Sequence, residues 1–541
     1  MIQRGSAVEY RRLRAPRTDR TVWADPPLSA AGEVVAENVA RRASYDYDLQ
    51  GRSLAELSRM ARSELLRAAM QYTSSYRDVR VNFGAKRVFL AGHQPQLFHP
   101  GVWIKNFALG RLAELHDAVA INLVIDSDSI RTPSIRVPGG TVATPTVEAV
   151  PFDGPGPDLP FEERSIVDHS LWKSFGDRAA KQIAPLAPDA LVRDFWPLAI
   201  ARARDTNNLG VCLSQARHLW EQRWGSSTLE LPQGHVCSLP ASCWFIAHLL
   251  AHLPRLWEIY NTSLAEYRKL HHIRSANHPA PALAAIDDWL EAPFWIWQTS
   301  APARKRLFVR GEGDELILSD RQQFELRLPL TPEGEIDRAA EILSDLASQG
   351  VKLRTRALLT TLLARVLFGD LFLHGIGGAK YDQLTDVIIR RFFGIDPPEY
   401  LIVSATLQLP IPREPASMEE LRRLDHLLRE LEFHPERHLR GDEPSADGPT
   451  RPAELAADKR RWIEDPPPLA TPRERCHRIR AINEALQPWM AAPKRELLAD
   501  RQELARRLRS EEVLASREYA FCLYPAGVLQ DFLLAFLPSA P

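Results

Sequence analysis

The chain has 541 residues, of which 45% are hydrophobic and 25% are charged, as in ordinary globular proteins. Its 68 basic and 69 acidic side chains nearly cancel, which disfavours nucleic acid as a partner. The five scattered cysteines form no CxxC pair, so neither a disulfide framework nor a zinc knuckle is expected. No stretch approaches the roughly 20 apolar residues of a membrane span. We therefore expect two to four domains in a reducing cytoplasm, without a membrane partner.

The first 80 residues are expected to form a helical lead-in. Residues 1–50, with six arginines among the first twenty, are expected to be loosely ordered. From Ser53 to Tyr76, apolar residues recur at helical spacing behind a serine that can cap the first turn. This second part predicts a well-formed helix.

The stretch from Val88 to Glu114 has the pattern of a strand, a turn and a helix. Val88–Gly92 is a short apolar run typical of a buried strand, and Val102–Leu115 has the composition and period of a helix. The turn between them is rich in His, Gln and Pro. An ordinary connection remains the alternative, because the turn has neither a P-loop nor a glycine-rich dinucleotide fingerprint.

A second apolar run, Ala118 to Asp128, ends in acidic residues and is typical of a strand buried on both faces of a parallel sheet. Together with the preceding strand and helix it forms one right-handed βαβ unit. The carboxyl ends of parallel strands meet at one edge of a sheet. Asp126 and Asp128 are therefore expected to lie at the same edge as His93 and His99.

These side chains suggest two kinds of ligand. Protonatable imidazoles above a helix start suit a phosphate or a carboxylate, which Lys105 could also reach, and the spacing of the two histidines does not favour a metal. Asp126 and Asp128 could bind Mg²⁺ and a phosphate, as in sugar-nucleotide transferases, or could merely cap the strand. The residues of this stretch expected to bind substrate or nucleotide are Gln94, Phe98, Gly101 and Lys105.

Residues 161–350 are expected to be a helical and mixed insertion. Leu171–Arg223 and Leu239–Lys269 have helical character. The basic run at 304–306 is interpreted as a solvated edge. Short apolar runs predict strands of a further sheet at Phe294–Trp297, Leu307–Val309 and Leu316–Leu318.

A second strand and turn of like construction follow a predicted helix at Arg356–Gly369. Leu371–Leu373 is a short strand, His374–Asp382 a glycine-rich turn, and Gln383–Phe393 a helix. Three glycines over four positions let the backbone approach a ligand, and their N–H groups can form an anion nest. The candidate residues in the turn are His374, Gly375, Gly377, Gly378, Lys380, Tyr381 and Asp382.

The last third of the chain predicts two antiparallel helical arms. Leucines and isoleucines recur at three- and four-residue spacing in Met418–Glu432 and in Arg478–Arg509. His434–Pro472, which is charged and rich in proline, is expected to be a loop or partly disordered. A homodimer through these arms is one expected assembly.

The predicted fold class is α/β, with a Rossmann-like parallel-sheet core, a helical insertion and a C-terminal antiparallel coiled-coil arm. The predicted domains are the lead-in 1–80, the two parts of the core 81–160 and 351–412, the insertion 161–350, the arm 413–515, and a segment 516–541 that packs on the core.

Two stretches together resemble the cysteine-adding enzymes of bacillithiol synthesis, the BshC family. AGHQPQLFHPGVWIKNFALGRLAEL resembles the family's Gly-Gln-Gln-x-x-Leu-Phe-x-Gly-Pro segment, and LVIDSDS its strand with an acidic end. RALLTTLLARVLFGDLFLHGIGGAKYDQL is similar to the second signature, and VSATLQLP to the strand before the arm. The start is also similar to WbqC-like proteins. His93 stands where the family has glutamine, and His374, Lys380 and Asp382 are additions.

The resemblance implies a ligase that condenses an amino acid or thiol-type amine, cysteine in the family, with a sugar-linked or other carboxylated molecule. It implies a nucleotide, ATP or ADP with Mg²⁺, to activate the carboxylate, and small molecules as partners. The implied catalytic residues are His93, His99, Asp126, Asp128, His374 and Lys380. A non-catalytic nucleotide or metabolite binder and a sugar-nucleotide transferase remain the alternatives.

Overall fold

The structure is a computed structural model that describes residues 13–79, 84–130, 132–278, 280–412, 416–439 and 451–536. The strands are β1 (Thr21–Asp25), β2 (Arg87–His93), β3 (Ala118–Val124), β4 (Ser134–Gly140), β5 (Pro145–Pro151), β6 (Leu229–Pro232), β7 (Ala285–Ile286), β8 (Trp289–Gln298), β9 (Ala301–Glu312), β10 (Glu315–Ser319), β11 (Glu325–Pro329), β12 (Val351–Thr355), β13 (Leu371–His374) and β14 (Tyr400–Thr406). The helices are α1 (Ala31–Ala43), α2 (Leu54–Ser74), α3 (Pro100–Leu115), α4 (His169–Ile183), α5 (Val192–Asp205), α6 (Leu209–Arg223), α7 (Gln233–Cys237), α8 (Pro240–Ala251), α9 (Leu253–Leu270), α10 (Asp337–Asp345), α11 (Ala357–Leu363), α12 (Ile376–Phe393), α13 (Met418–Phe433), α14 (Arg451–Glu464), α15 (Pro472–Leu514) and α16 (Ala526–Ala535).

The chain divides into two compact units. The first consists of residues 1–137, 148–410 and 517–541 and contains both larger sheets. The second consists of residues 138–147 and 411–516 and contains α13, α14 and α15.

The sheet at the centre of the first unit has the strand order β1-β14-β13-β2-β3-β6. Neighbours from β14 to β6 run parallel, and β1 pairs antiparallel with β14. The prediction of an α/β fold with a parallel sheet is confirmed. Because parallel strands end on the same side, the residues after them share one edge. We call residues 92–94, 124–128, 232–234 and 374–376 the carboxyl edge.

Burial explains why the two central strands form. Residues 88–91 of β2 and 119–124 of β3 are buried, and the strands pair in register from Arg87 opposite Ala118 to His93 opposite Val124. The helix between them, α3, is buried on nearly all sides because it packs against β2, β3 and β14. The predicted strand–helix–strand unit is therefore present.

The other predicted elements of the first unit are largely confirmed. Ser53 caps α2 by accepting a hydrogen bond from the Glu56 amide at 3.2 Å. The three predicted strands of the insertion belong to β8, β9 and β10, in an antiparallel sheet with the order β11-β10-β9-β8-β12. The predicted helical region at Leu239–Lys269 consists of α8 and α9, which are separated at His252.

The expectation that residues 1–50 are loosely ordered is wrong for the described part of that stretch. It contains β1 and α1, which tertiary contacts stabilise. β1 extends the sheet beside β14, and the Asn38 side chain donates to the carbonyls of Asp370 and Glu399 at 2.9 and 2.8 Å. Residues 1–12 lie outside the described residues.

The second unit contains the predicted antiparallel pair of helices, α13 and α15. Asp425 pairs with Arg501, whereas Phe433, farther along α13, accepts from Asn483, earlier on α15. The prediction of a loop over His434–Pro472 is wrong at α14, which the buried Lys459 ties to the carbonyl of Phe433 at 2.6 Å. Residues 440–450 of that predicted loop lie outside the described residues.

In the described residues, no helix is both long enough and apolar enough to cross a membrane.

Gly101→Ala is expected to lower the free energy of unfolding by about 1–3 kcal/mol, because the added Cβ would overlap the carbonyl oxygen of Ala405 and push α3 off β14. Urea unfolding measures the change. Gly527→Ala in α16 is the matched control, since its Cβ would meet no atom within 4 Å. Equal stability of Gly101→Ala and the unaltered protein would contradict this packing.

Candidate active site at the carboxyl edge

His93, at the end of β2, is a neutral hydrogen-bond acceptor. Its Nδ1 donates to the carbonyl of Gln94 at 2.9 Å, because a carbonyl oxygen can only accept, so Nε2 carries the lone pair. The ring lies against Phe98, with centroids 4.6 Å apart. Burial, reinforced by the charge of Lys105, lowers the pKa of His93 to about 3.

His99, immediately before α3, is also neutral. Burial lowers its pKa to about 4; Glu518, whose carboxylate lies 3.6 Å from Nε2, opposes this effect, and Arg517 adds to it. Neither His93 nor His99 carries a charge at neutral pH, so their pKa values give no support to the predicted binding of an anion by these imidazoles.

Lys105 brings the ionisable positive charge to this part of the edge. Its side chain is buried one turn into α3, and Nζ donates to the carbonyl of Gly92 at 2.5 Å. Burial, together with the charge of Arg217, lowers the pKa of Lys105 to about 7. The lysine can therefore gain or lose its charge near neutral pH.

Asp126 and Asp128 both follow β3, as predicted, but they have different surroundings. The buried Asp126 accepts from the amide of Gly234 at 3.0 Å. Asp128, whose side chain is 42% exposed, accepts from Gln94 at 3.1 Å and from Arg304 at 3.3 Å. Because each carboxylate has its own partners, this arrangement gives no support to a Mg²⁺ ion shared between them.

Asp126 is a buried carboxyl group that ionises near neutral pH. Burial and the negative charge of Glu162 raise its pKa to about 7, against the opposing charge of Arg354. The segment that bears it is bonded to the end of β2, since the amide of Ile125 donates to the carbonyl of His93 at 2.9 Å. Burial thus brings to about 7 the pKa of Asp126, which follows β3, and that of Lys105, which contacts the end of β2 from α3.

Arg304, on β9, reaches the loop after β3. Its guanidinium donates to the carbonyl of Ser127 and to the hydroxyl of Ser129, both at 2.9 Å, besides its contact with Asp128. The interpretation of this basic run as a solvated edge is thus wrong for Arg304. The cause is the tertiary placement of β9, which local sequence does not encode.

His374, at the end of β13, is oriented by a buried carboxylate. Its Nε2 donates to Asp382 at 2.7 Å, and Arg365 and Thr361 each donate to the same carboxyl group at 2.6 Å. Although burial raises it, Arg365 and His374 hold the pKa of Asp382 far below its usual range. Burial in turn lowers the pKa of His374. His374 and Asp382 thus form a fixed pair at the edge.

The predicted glycine-rich turn over His374–Asp382 is wrong, because α12 already begins at Ile376, with Gly375 as its N-cap. Gly377 and Gly378 lie in the first turn of the helix rather than in an anion nest. Gly378 is needed for packing, since an added Cβ would lie 2.6 Å from Nδ1 of His374.

Lys380 and Tyr381 are not brought to the carboxyl edge by any contact among the described residues. Lys380 is exposed on α12, and its carbonyl accepts from Tyr267 at 2.7 Å. The ring of Tyr381 lies 5.7 Å from that of His278. The predicted roles of Lys380 and Tyr381 therefore have no geometric support.

A buried polar cluster that the sequence analysis missed lies on α6 and β6. His218, Glu221 and Glu230 are the one group of three potential metal ligands within 4.8 Å of one another in the described part of the chain. Arg217 donates to both glutamates, to Glu221 at 2.5 Å. Because the guanidinium already supplies the positive charge between the carboxylates, the cluster is best explained as a polar core.

Three further residues, one at the edge and two that form an ion pair beside it, had not been identified from the sequence. Gln233 accepts from the hydroxyl of Ser127 at 2.7 Å, and Arg354 forms a two-pronged ion pair with Glu162. Recognising Leu229–Pro232 as a strand would have drawn attention to Gln233, which follows it. Glu162 and Arg354 carry no local sequence signal, because they are 192 positions apart.

No protein-family model matches the chain, and no curated protein is significantly similar to it. The resemblance to the bacillithiol enzymes therefore remains a prediction based on the motifs themselves.

Asp126→Asn is expected to stabilise the protein at pH 8 by on the order of 4 kcal/mol, since the pKa of Asp126 is raised from 3.8 to about 7 and each unit corresponds to about 1.4 kcal/mol. Between about pH 4 and pH 7, folded Asp126 retains a proton that the unfolded chain has lost. Stability of the unaltered protein therefore falls as the pH rises through this window, and the gain from asparagine disappears near pH 4.

Urea unfolding at pH 4 and pH 8 checks this expectation. Asp128→Asn is the matched control, because Asp128 is partly exposed and paired with Arg304. If Asp126→Asn were no more stable than the unaltered protein at pH 8, or if its gain in stability were equal at the two pH values, the raised pKa of Asp126 would be contradicted.

Proposed function

We propose that the chain is an enzyme that joins an amine to a carboxylated small molecule at the carboxyl edge, in a ligase-type reaction. The observation that carries the proposal is that burial brings two groups on neighbouring segments to a pKa of about 7: Asp126 follows β3, and Lys105 on α3 donates to the carbonyl of Gly92 in β2. Perturbed ionisable groups at the carboxyl ends of parallel strands are typical of active sites. The resemblance to the BshC family supports the same class of reaction.

Asp126 has the properties of a base for the amine substrate. A carboxylate whose conjugate acid has a pKa near 7 takes a proton more readily than an ordinary aspartate. The proton passes from the ammonium nitrogen to a carboxylate oxygen of Asp126. The lone pair left on nitrogen forms the C–N bond, and the bond from the carboxyl carbon to the leaving group breaks, with its electron pair going to the leaving group. An amino acid or a thiol-bearing amine, such as cysteine, fits this role.

Lys105 and His93 are assigned to the second substrate. The ammonium of Lys105 would stabilise a carboxylate beside Gly92, and a bound anion would in turn favour the charged form of the lysine. His93 offers Nε2 as a hydrogen-bond acceptor for a hydroxyl group of that substrate.

A nucleotide with Mg²⁺ belongs to the proposal, because forming an amide in water requires an activated carboxylate. We also propose that the parallel sheet is Rossmann-like, that is, of a nucleotide-binding type. The start of α12 fits a phosphate, since Gly375 provides no side-chain cap and the exposed Gly377 leaves open space around the first turn. The nucleotide would supply the leaving group that activates the carboxylate.

The purified chain, given ATP, Mg²⁺, cysteine or another amino acid, and a set of sugar-linked carboxylates, is expected to form a condensation product detectable by mass spectrometry. Asp126→Asn is expected to lower kcat by a factor of about 10²–10⁴, the range for loss of a general base. Lys105→Met is expected to raise KM for the carboxylated substrate. Lys380→Ala, on exposed α12 surface, serves as the control with unchanged kinetics.

Turnover by Asp126→Asn at the rate of the unaltered enzyme would contradict the role of Asp126. Equal losses in Lys380→Ala and Asp126→Asn would contradict the location of the site.

A non-catalytic metabolite binder that dimerises through its second unit is the second candidate. The observation in its favour is the exposure of large apolar side chains on that unit, including Met418 (54%), Phe433 (55%) and Leu469 (95%). Nucleotide binding in a calorimetric titration, without a product from any acceptor, would favour this candidate over the enzyme.

A further inference from the structure

Two carboxyl groups flank Gly234 at the carboxyl edge. The amide of Gly234 donates to Asp126 at 3.0 Å, and a Cβ added to the same glycine would lie 3.0 Å from the carboxyl group of Glu162. The backbones of the two acidic residues are also joined, because the Glu162 amide donates to the Asp126 carbonyl at 2.9 Å. The absence of a side chain at position 234 allows this close approach.

Glu162 is held in its charged form. Arg354 donates to its two carboxylate oxygens, from Nε at 2.9 Å and from a terminal nitrogen at 2.7 Å, and Lys352 lies 3.4 Å away. Although burial raises it, these two cations lower the pKa of Glu162. The negative charge is therefore fixed in place beside Gly234.

Asp126 has no comparable cation among its described hydrogen-bond partners. The two-pronged contact of Arg354 is directed to Glu162, and Arg304 donates to Asp128 and its neighbours. The other titratable groups packed near this point are His235 and Cys237 on α7 and Tyr72 on α2. Burial lowers the pKa of His235 and raises those of Cys237 and Tyr72, so all three are uncharged at neutral pH.

We propose that Glu162 is a positioning residue for Asp126. The fixed negative charge of Glu162 beside Gly234 prepares Asp126 to take the proton of a bound amine. The part that concerns the amine rests on the proposed function. The coupling between the two carboxyl groups does not, and it can be measured without any substrate. Removing the charge of Glu162 should lower the pKa of Asp126 and so make its carboxylate a weaker base.

The experiment measures urea unfolding of the full chain from pH 4 to pH 8. The unaltered protein and each variant are measured both with Asp126 and with Asp126→Asn. The difference in unfolding free energy between a protein and its Asp126→Asn form grows with pH and levels off above the pKa of folded Asp126. We call the pH at which it levels off the levelling point. This point is expected near pH 7 in the unaltered protein, and about one pH unit or more lower in Glu162→Gln, since a nearby like charge shifts a pKa by that order.

Two variants serve as controls. Glu163→Gln removes the neighbouring carboxylate, which accepts from Trp297 rather than from Arg354, and should leave the levelling point unchanged. Glu162→Asp keeps a negative charge opposite Arg354, so its levelling point should remain close to that of the unaltered protein. If Glu162→Gln alone does not fold, Glu162→Gln combined with Arg354→Gln is used. Its levelling point should still fall, by less, because the Glu162 carboxyl group lies beside Gly234, whereas the contacts of Arg354 are directed to Glu162.

The same levelling point in the Glu162-lacking variants and the unaltered protein would overturn the proposal, as would a levelling point near pH 4 in the unaltered protein. The expected shift without any turnover of amines and carboxylates would refute the condensation reaction and leave the coupling of Glu162 to Asp126 standing.

Discussion

The parallel pairing of β2 with β3 is the interaction on which the candidate site depends. The two strands remain in register from Arg87 opposite Ala118 to His93 opposite Val124, and the Ile125 amide extends the pairing by one more hydrogen bond. This pairing brings the turn after β2 and the acidic loop after β3 to the same place. Because α3 begins at the end of β2 and is buried, Lys105 is carried to the same edge.

Desolvation at that edge determines which groups are charged. It lowers the pKa of His93 and of Lys105, and it raises the pKa of Asp126, so each group is shifted toward its neutral form. Keeping such groups buried costs folding free energy that apolar residues of the same size would not cost. Enzymes commonly retain costs of this kind where catalysis uses the perturbed groups, which is why the edge is a stronger candidate than any exposed surface.

Local sequence predicted the elements whose own composition determines them. The apolar runs of β2 and β3, the Ser53 cap of α2 and the periodic leucines of α13 suffice to identify those elements. It failed where distant contacts decide the structure. α1 is stabilised by backbone carbonyls more than 300 positions away. The glycines after His374 indicated a turn, but the packing of α12 makes them helical.

The site was predictable in outline and not in its pairings. The strand ends located His93 and Asp126 at one edge, because parallel topology requires it. Which acid is paired with which base could not be deduced, since the Glu162–Arg354 pair joins residues 192 positions apart. The neutral state of the histidines was missed for the same reason: a pKa depends on burial by the whole fold.

A crystal structure of the chain grown with cysteine and ATP would show where the substrates bind. Ligand density is expected at the carboxyl edge, with a ligand nitrogen or carboxylate within hydrogen-bonding distance of Asp126 or Lys105. Density confined to the second unit, for example beside Trp462 and His477, with none at the carboxyl edge, would contradict this location of the site.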